Sequence, residues 1–273
     1  MLKNEIRILL KKFNIVLDPE LDEQQLVDAN AIGRLVRAAG VSKQDTVLEV
    51  GAGCGNITVA LAEAAGRVLA VEKEEKFFPI LEERTAPFDN VELIHGDALQ
   101  IRFPPLKKVV SNLPYSICEA MLRRLTRLRF EKASLIVSKS FADTVTSEPG
   151  DRHYSRLTLV ASAFFEILKI GELEQGSYYP PPGVTTSMIT LEPHEAEDYG
   201  QELLRQLVLR EKMKLKNALR ESLIAASRRF PGPSTNREAK EFIASMGLDN
   251  SLLDRRMARI SLSDLESVLK HIT

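Results

Sequence analysis

Between residues 46 and 193, short apolar runs alternate with amphipathic stretches. TVLEV (46–50), RVLAVEKE (67–74), VELIHGDAL (91–99), KKVVSNLPY (107–115) and KASLIVSKSF (132–141) read as buried strands. NITVALAEAAG (56–66), ended by Gly66, and ICEAMLRRLTRL read as helices between them. Residues 26–40, LVDANAIGRLVRAAG, put Leu26, Ile32, Leu35, Val36 and Ala39 near one helical face, with Gly40 as a stop. A further apolar stretch covers 156–170, and SMITLEP (187–193) predicts a late strand. Strands that alternate with helices imply a mainly parallel sheet with helices on both faces.

The strand pattern stops around EPHEAEDYG (192–200). Beyond it ELLRQLVLREKMKLKNALRESLIAASRRF predicts helix, followed by two shorter amphipathic pieces set off by PGPS and GLDNS. The expected organisation is an α/β domain over 1–195 and a small all-helical domain over 196–273.

Composition narrows the class. The 273 residues are 44% hydrophobic and 27% charged, the balance of a globular protein. No apolar run approaches the roughly 18 residues that span a bilayer. The N-terminus lacks a signal peptide's apolar core, so a cytoplasmic chain with no membrane partner is expected. Cys54 and Cys118 and four scattered His give no metal-ligand spacing, so no metal is expected. Net charge is −1, but from residue 201 onward 14 Lys and Arg face 9 Asp and Glu. Such an excess fits a solvated helical surface as well as a nucleic-acid footprint.

Ligands of parallel sheets sit beyond the carboxyl ends of the strands, where the distinctive residues fall. The first strand ends in Glu49 and a glycine turn, Gly51-Ala52-Gly53-Cys54-Gly55, which lets backbone approach a ligand. Glu72 ends the second strand and suits a ribose diol; Asp97 follows the third and suits an adenine amine. A pyrophosphate would avoid a carboxylate so close to the glycines. Glu49 instead suits a cation bearing an ammonium and a sulfonium, as in S-adenosyl-L-methionine. The same three acids are also compatible with ordinary caps or surface positions.

Asn112-Leu113-Pro114-Tyr115 leaves the fourth strand beside that site. An exocyclic adenine amine is a poor nucleophile because its lone pair is delocalised. Hydrogen bonds to the Asn112 side-chain oxygen and the Leu113 carbonyl would favour a tetrahedral nitrogen. Pro114 would fix the turn, and Tyr115 would offer a stacking face to an extruded base. Read alone, the four residues also describe an Asx–Pro turn with a core tyrosine.

In order, LVD (26–28), EVGAGCGNIT (49–58), VE (71–72), GDAL (96–99), NLPY (112–115), KSFADTVTSEPGDRHYSRL (139–157), YYPPPGVTTS (178–187), LKNAL (215–219) and ISLSDL (260–265) span almost the whole chain. With them the sequence resembles the ribosomal RNA adenine N6-dimethyltransferases, relatives of the erythromycin-resistance methyltransferases, as an archaeal-type, somewhat divergent member. The resemblance implies a Rossmann-like methyltransferase domain using S-adenosyl-L-methionine and a helical RNA-binding domain. It implies dimethylation of two adjacent adenines in small-subunit ribosomal RNA, with that RNA or the pre-ribosomal small subunit as partner and a monomeric enzyme. Phe141 would stack on the target adenine opposite Tyr115. The resemblance completes the candidate cofactor set, Gln24, Leu26, Glu49, Gly51, Gly53, Glu72, Lys73, Asp97, Ala98 and Asn112.

The chain departs from that pattern in places. Glu23-Gln24-Gln25-Leu26-Val27-Asp28 stands where the family carries Gln-(Asn/His)-Phe-Leu-x-Asp, a segment that closes the methionine end of the site. Ser155 replaces a usual Gly, Gly183 a usual Lys or Arg, and the basic helix start is weakened to REKMKLKNAL. Such departures also suit a ribosome-assembly binding factor with little catalysis, or a methyltransferase for another substrate. On the basic helix, Lys212, Lys216 and Arg220 recur at i, i+4 and i+8 and are expected to share one RNA-facing side.

Overall fold

A computed structural model describes residues 2–271 and divides the chain into two compact units. One runs to Ser147 and resumes over Glu166–Pro193; the other comprises Glu148–Phe165 and the described residues from His194 onward. The expected boundary at 195 lies near the last crossing but misses the segment 148–165. That segment carries a helix whose Leu159 and Val160 bury against Leu203, Leu207 and Leu219 of the helical unit.

The first unit is mixed α/β, built on α1 (Leu2–Lys12), β1 (Gln25–Leu26), α2 (Ala29–Ala38), β2 (Thr46–Val50), α3 (Asn56–Ala64), β3 (Arg67–Glu72), α4 (Phe78–Thr85), β4 (Val91–His95), β5 (Lys108–Asn112), α5 (Cys118–Leu125), β6 (Lys132–Ser138) and α6 (Lys139–Val145). β7 (Phe165–Leu173), β8 (Tyr178–Tyr179) and β9 (Thr186–Pro193) follow the excursion into the other unit. Seven strands form one sheet in the order β4-β3-β2-β5-β6-β9-β7. β4, β3, β2, β5 and β6 are parallel, and β9 returns antiparallel to β6. β2 and β3 are buried along almost their whole length, which is why they read as continuous apolar runs. After β4 the chain crosses β2 to start β5 on its other side, which makes the β2/β5 boundary the switch point of the sheet.

Two local readings change. The segment from Leu26 is not helical from its start: Gln25 and Leu26 pair antiparallel with Tyr179 and Tyr178, and α2 begins only after Asp28. Asp28 caps it, accepting from the N–H groups of Asn30 and Ala31 at 2.9 and 3.2 Å. The apolar stretch 156–170 divides into a helix and β7.

The second unit packs α7 (Arg156–Phe164), α8 (Tyr199–Val208), α9 (Leu215–Ala226), α10 (Asn236–Ser245), α11 (Asn250–Leu253) and α12 (Leu262–Lys270) around Leu203, Leu207, Leu215, Leu219, Leu223 and Met257. The expected continuous helix from 202 is broken at residues 209–214. There Lys214 is extended (φ −67°, ψ 145°), and the N–H of Leu215 donates to the Arg255 carbonyl while that of Met257 donates to Met213. Among the described residues, no helix is long and apolar enough to cross a membrane.

Gly66 offers a check on the packing. It follows α3, and a Cβ there would lie 2.3 Å from the Lys43 carbonyl oxygen, a backbone atom that cannot swing aside. Gly66→Ala is expected to destabilise the first unit by about 1–3 kcal/mol. Thermal unfolding of the variant at wild-type Tm would contradict this contact.

Candidate active site

The loops leaving β2, β3, β4 and β5, together with residues 20–26, enclose a cavity of about 380 Å³, within the range of small-molecule sites. Of the expected cofactor residues, Gln24, Leu26, Glu49, Gly51, Gly53, Glu72, Lys73, Asp97, Ala98 and Asn112 all line it. So does Pro114, whereas Leu113, Tyr115 and Phe141 do not.

The β2 turn is built for close approach. Gly51 sits at φ +75°, and a Cβ on it would meet the Pro114 ring at 3.3 Å, so the β2 and β5 loops touch at the switch point. The N–H groups of Gly51 and Ala52 donate to the Val71 carbonyl at 2.8 and 3.1 Å. Gly53 (φ +53°) lies under the Gln25 amide, whose oxygen accepts from the Cys54 N–H at 2.8 Å.

Glu72 organises the floor. It is 6% exposed, and its carboxylate accepts from the N–H of Gly53 at 2.7 Å and from those of Lys73 and Glu74 at 2.8 Å each. Burial pushes its carboxyl above the usual range, while the three N–H groups pull it down. Asp97 has a local role too: its carboxylate accepts from the Leu99 N–H at 2.8 Å and the Gln100 side chain at 2.9 Å, shaping the loop after β4.

Glu49 differs. It is 1% exposed, and among the described residues neither carboxylate oxygen makes a well-formed hydrogen bond, although the Thr58 hydroxyl and N–H favour its charged form. Burial raises its pKa to about 8, with Thr58 pulling down, Glu72 pushing up and Arg84 pulling down. This acid has no ion pair among the described residues, and the cavity it lines holds only Lys73 as a base against six other acids. The residues fit a cationic ligand such as S-adenosyl-L-methionine: Glu49 would hold its cationic end, Glu72 and Asp97 its hydroxyl and amine groups.

On the β5 side, Asn112 pairs in register with Ile136 of β6, and the Leu113 N–H donates to the Ile136 carbonyl at 3.0 Å. The Asn112 side-chain oxygen is buried without a partner. Tyr115 opens a 3-10 turn over Tyr115–Ile117; its hydroxyl is buried and unpartnered, and burial raises its pKa. Phe141 lies in the first turn of α6, just beyond the end of β6, the strand adjacent to β5, and its N–H donates to Ser138 at 3.3 Å. Tyr115 and Phe141 therefore flank one end of neighbouring parallel strands outside the cavity itself.

Sequence reasoning missed three residues that shape the site. Asp22, at φ +59°, accepts from the Ser116 N–H at 2.9 Å and ties the N-terminal segment to the NLPY loop. Asn56 donates to the Leu26 carbonyl at 2.7 Å, and Arg84 from α4 binds the Asn56 side chain and, at 2.6 Å, the Cys54 carbonyl. Asn56 sits in a quoted motif, so its type was in view; Asp22 and Arg84 carry no periodic or motif signal.

The basic triad in the helical unit is not assembled as expected. Lys212 precedes α9 in the 209–214 break, so Lys212, Lys216 and Arg220 do not share a continuous helical face. Lys216 pairs with Asp254 at 2.8 Å, and Arg220 is half-buried against Glu221 at 3.9 Å. Lys212 is exposed.

The model of the ribosomal RNA adenine dimethylase family matches residues 18–232. A protein of Methanothermobacter thermautotrophicus described as probable ribosomal RNA small subunit methyltransferase A is 34% identical over 273 residues, 99% of this chain and 96% of its own length. One of the same description from Methanosarcina mazei is 38% identical over 220 residues, 78% of this chain and 81% of its own. Among solved structures, a dimethyladenosine transferase from Plasmodium falciparum superposes with TM-score 0.63 at 23% identity, over 90% of this chain and 96% of that one. The 23S rRNA methyltransferase ErmE gives 0.61 at 22%, over 90% and 98%. At these identities the two structures establish a shared fold.

Two outcomes follow from the site's electrostatics. Glu72→Ala would leave three backbone donors unpaired, at about 1.5–3 kcal/mol, so denaturant unfolding is expected to register the loss as well as ligand binding. Glu49 holds a proton in the fold at a pH where the unfolded chain releases it, so its contribution to stability is lost as pH rises from the ordinary carboxylate range toward about 8. Without ligand, Glu49→Gln should gain Tm relative to wild type as pH rises from 5 to 8.5; a constant difference would refute the buried acid.

Proposed function

Because the chain belongs to the ribosomal RNA adenine dimethylase family, we propose that it transfers methyl groups from S-adenosyl-L-methionine to N6 of adenines in small-subunit ribosomal RNA. One observation supports this most directly: the Asn112 side-chain oxygen, buried and unpartnered, lines the cofactor-sized cavity at the switch point.

In this reading the acids of the cavity recognise the donor. Glu72 keeps one acceptor site, on the oxygen bonded to Gly53, for a ribose hydroxyl beyond its three backbone bonds. When bound, the cofactor supplies an electrophilic methyl group. Asn112 and the Leu113 carbonyl accept the two hydrogens of the adenine amine, which turns its nitrogen lone pair out of conjugation. Pro114, wedged on Gly51, keeps that loop fixed against the cofactor turn. Tyr115 and Phe141 present ring faces to the base. No residue has to remove a proton before transfer, so the machinery works by positioning and by a fixed acceptor dipole.

The helical unit supplies RNA affinity in this reading, through exposed cations including Lys212 and Lys216 and through Arg220. Their scatter and the Asp254 pairing make the contribution of each one separate rather than a single stripe. The protein is read as a monomer of the cytoplasm.

Asn112→Ala is expected to lower methyl incorporation into small-subunit RNA on the order of a hundredfold, about 3 kcal/mol, while S-adenosyl-L-methionine binding stays within about twofold. Wild-type turnover in that variant would remove the amide from the mechanism. Lys212→Gln with Lys216→Gln should weaken RNA binding and lower its log–log salt slope by about 0.7–0.9 per lost phosphate contact. An unchanged slope would leave these lysines as solvated surface.

A further inference from the structure

Glu49 carries a consequence for how the cofactor binds. Its carboxyl group is all but excluded from solvent, lines the cavity, and has both oxygens unpartnered. The charged groups facing it are few: Glu72 at the end of β3, which disfavours a second negative charge, and Arg84 on α4, which favours it. Thr58 on α3, through its hydroxyl and N–H, also favours the charge, though neither closes a well-formed bond to the carboxylate. Arg84 is committed elsewhere, to the Cys54 carbonyl, the Asn56 side chain and Glu5 at 3.1 Å. The remaining charged lining is Glu20, Asp22, Glu23, Glu74, Asp97 and Lys73. Among the described residues no cation forms an ion pair with Glu49, and burial outweighs Thr58 and Arg84, so without a ligand its acid form is favoured at neutral pH.

We propose that Glu49 is a proton-linked anchor for the ammonium group of the cofactor, so that binding expels one proton from the Glu49 carboxyl to solvent. This rests on the S-adenosyl-L-methionine reading above. The exchange balances: the neutral carboxylic acid and the ligand ammonium become a carboxylate–ammonium pair, and the carboxyl proton leaves to buffer. No covalent bond of the ligand changes. The ligand's charge thus replaces the missing protein cation. A ligand without the amino-acid portion leaves the acid protonated.

The test is isothermal titration calorimetry of the full chain at pH 6.5, in buffers of different ionisation enthalpy. The probes are S-adenosyl-L-homocysteine, which has the ammonium but no sulfonium, and 5′-methylthioadenosine, which has neither. An α-ammonium stays protonated at that pH. The expected result is about one proton released per S-adenosyl-L-homocysteine and none per 5′-methylthioadenosine. Affinity for the former should also rise about tenfold per pH unit between 5.5 and 7. Glu49→Gln should abolish the release; should that variant not fold, the two ligands compared on the wild type decide the matter. Binding of S-adenosyl-L-homocysteine with no proton release, or equal release with both ligands, overturns the anchor and leaves the cofactor reading intact. No binding of either probe or of S-adenosyl-L-methionine overturns both.

Discussion

The site depends on one carboxylate more than on any other group. Glu72 takes three backbone N–H groups, one from the glycine turn after β2 and two from its own strand end. A buried anion is tolerable only with such donors, and here they come from the two loops that must be held together. Removing the charge would free the glycine turn, and with it the face of Gly51 against which Pro114 rests. The cavity floor and the NLPY loop are thus coupled through backbone: Glu72 holds Gly53, and two residues away Gly51 meets Pro114, two residues after Asn112.

That coupling makes sense of two carboxylates with opposite environments in adjoining strands. Glu72 is buried with three well-formed backbone donors; Glu49, beside it in the sheet, is buried too and has no well-formed hydrogen bond. β2 and β3 pair in parallel, with Glu49 opposite Ala70, so the two acids leave adjacent strand ends two residues out of step. One has its charge stabilised by the fold itself. The other has no ion pair to stabilise its charge among the described residues.

Much of this was legible in the sequence. The five parallel strands read as apolar runs because both faces of the central ones are buried, and every cofactor position expected from strand ends and motif resemblance lines the one cavity. What was not legible depends on contacts distant along the chain. The segment 148–165 joins the helical unit because Leu159 and Val160 find partners more than forty residues away. The helix over 202–230 breaks because residues 213–215 bond to the 255–257 segment, which no local periodicity announces. The i, i+4, i+8 spacing of Lys212, Lys216 and Arg220 was real, but spacing on a helix means nothing where the helix has not begun.

The N-terminal segment shows how a departure from family pattern is absorbed. Glu23 and Gln25 replace an amide and an aromatic, and polar side chains buried at 4% and 8% exposure would be costly if left alone. They are not alone. Glu23 accepts from the Asp18 N–H at 2.6 Å and pairs with Lys76, while Gln25 donates to the Glu23 carbonyl at 2.9 Å and accepts from Cys54. The segment therefore closes over the glycine turn through hydrogen bonds to backbone rather than through an apolar ring. Asp22 extends the same closure to the Ser116 N–H just after NLPY. The substitutions at 23 and 25 thus form one bonded unit: changing Gln25 back to an aromatic would strand the Cys54 N–H, and changing Glu23 would strand the Asp18 N–H and Lys76.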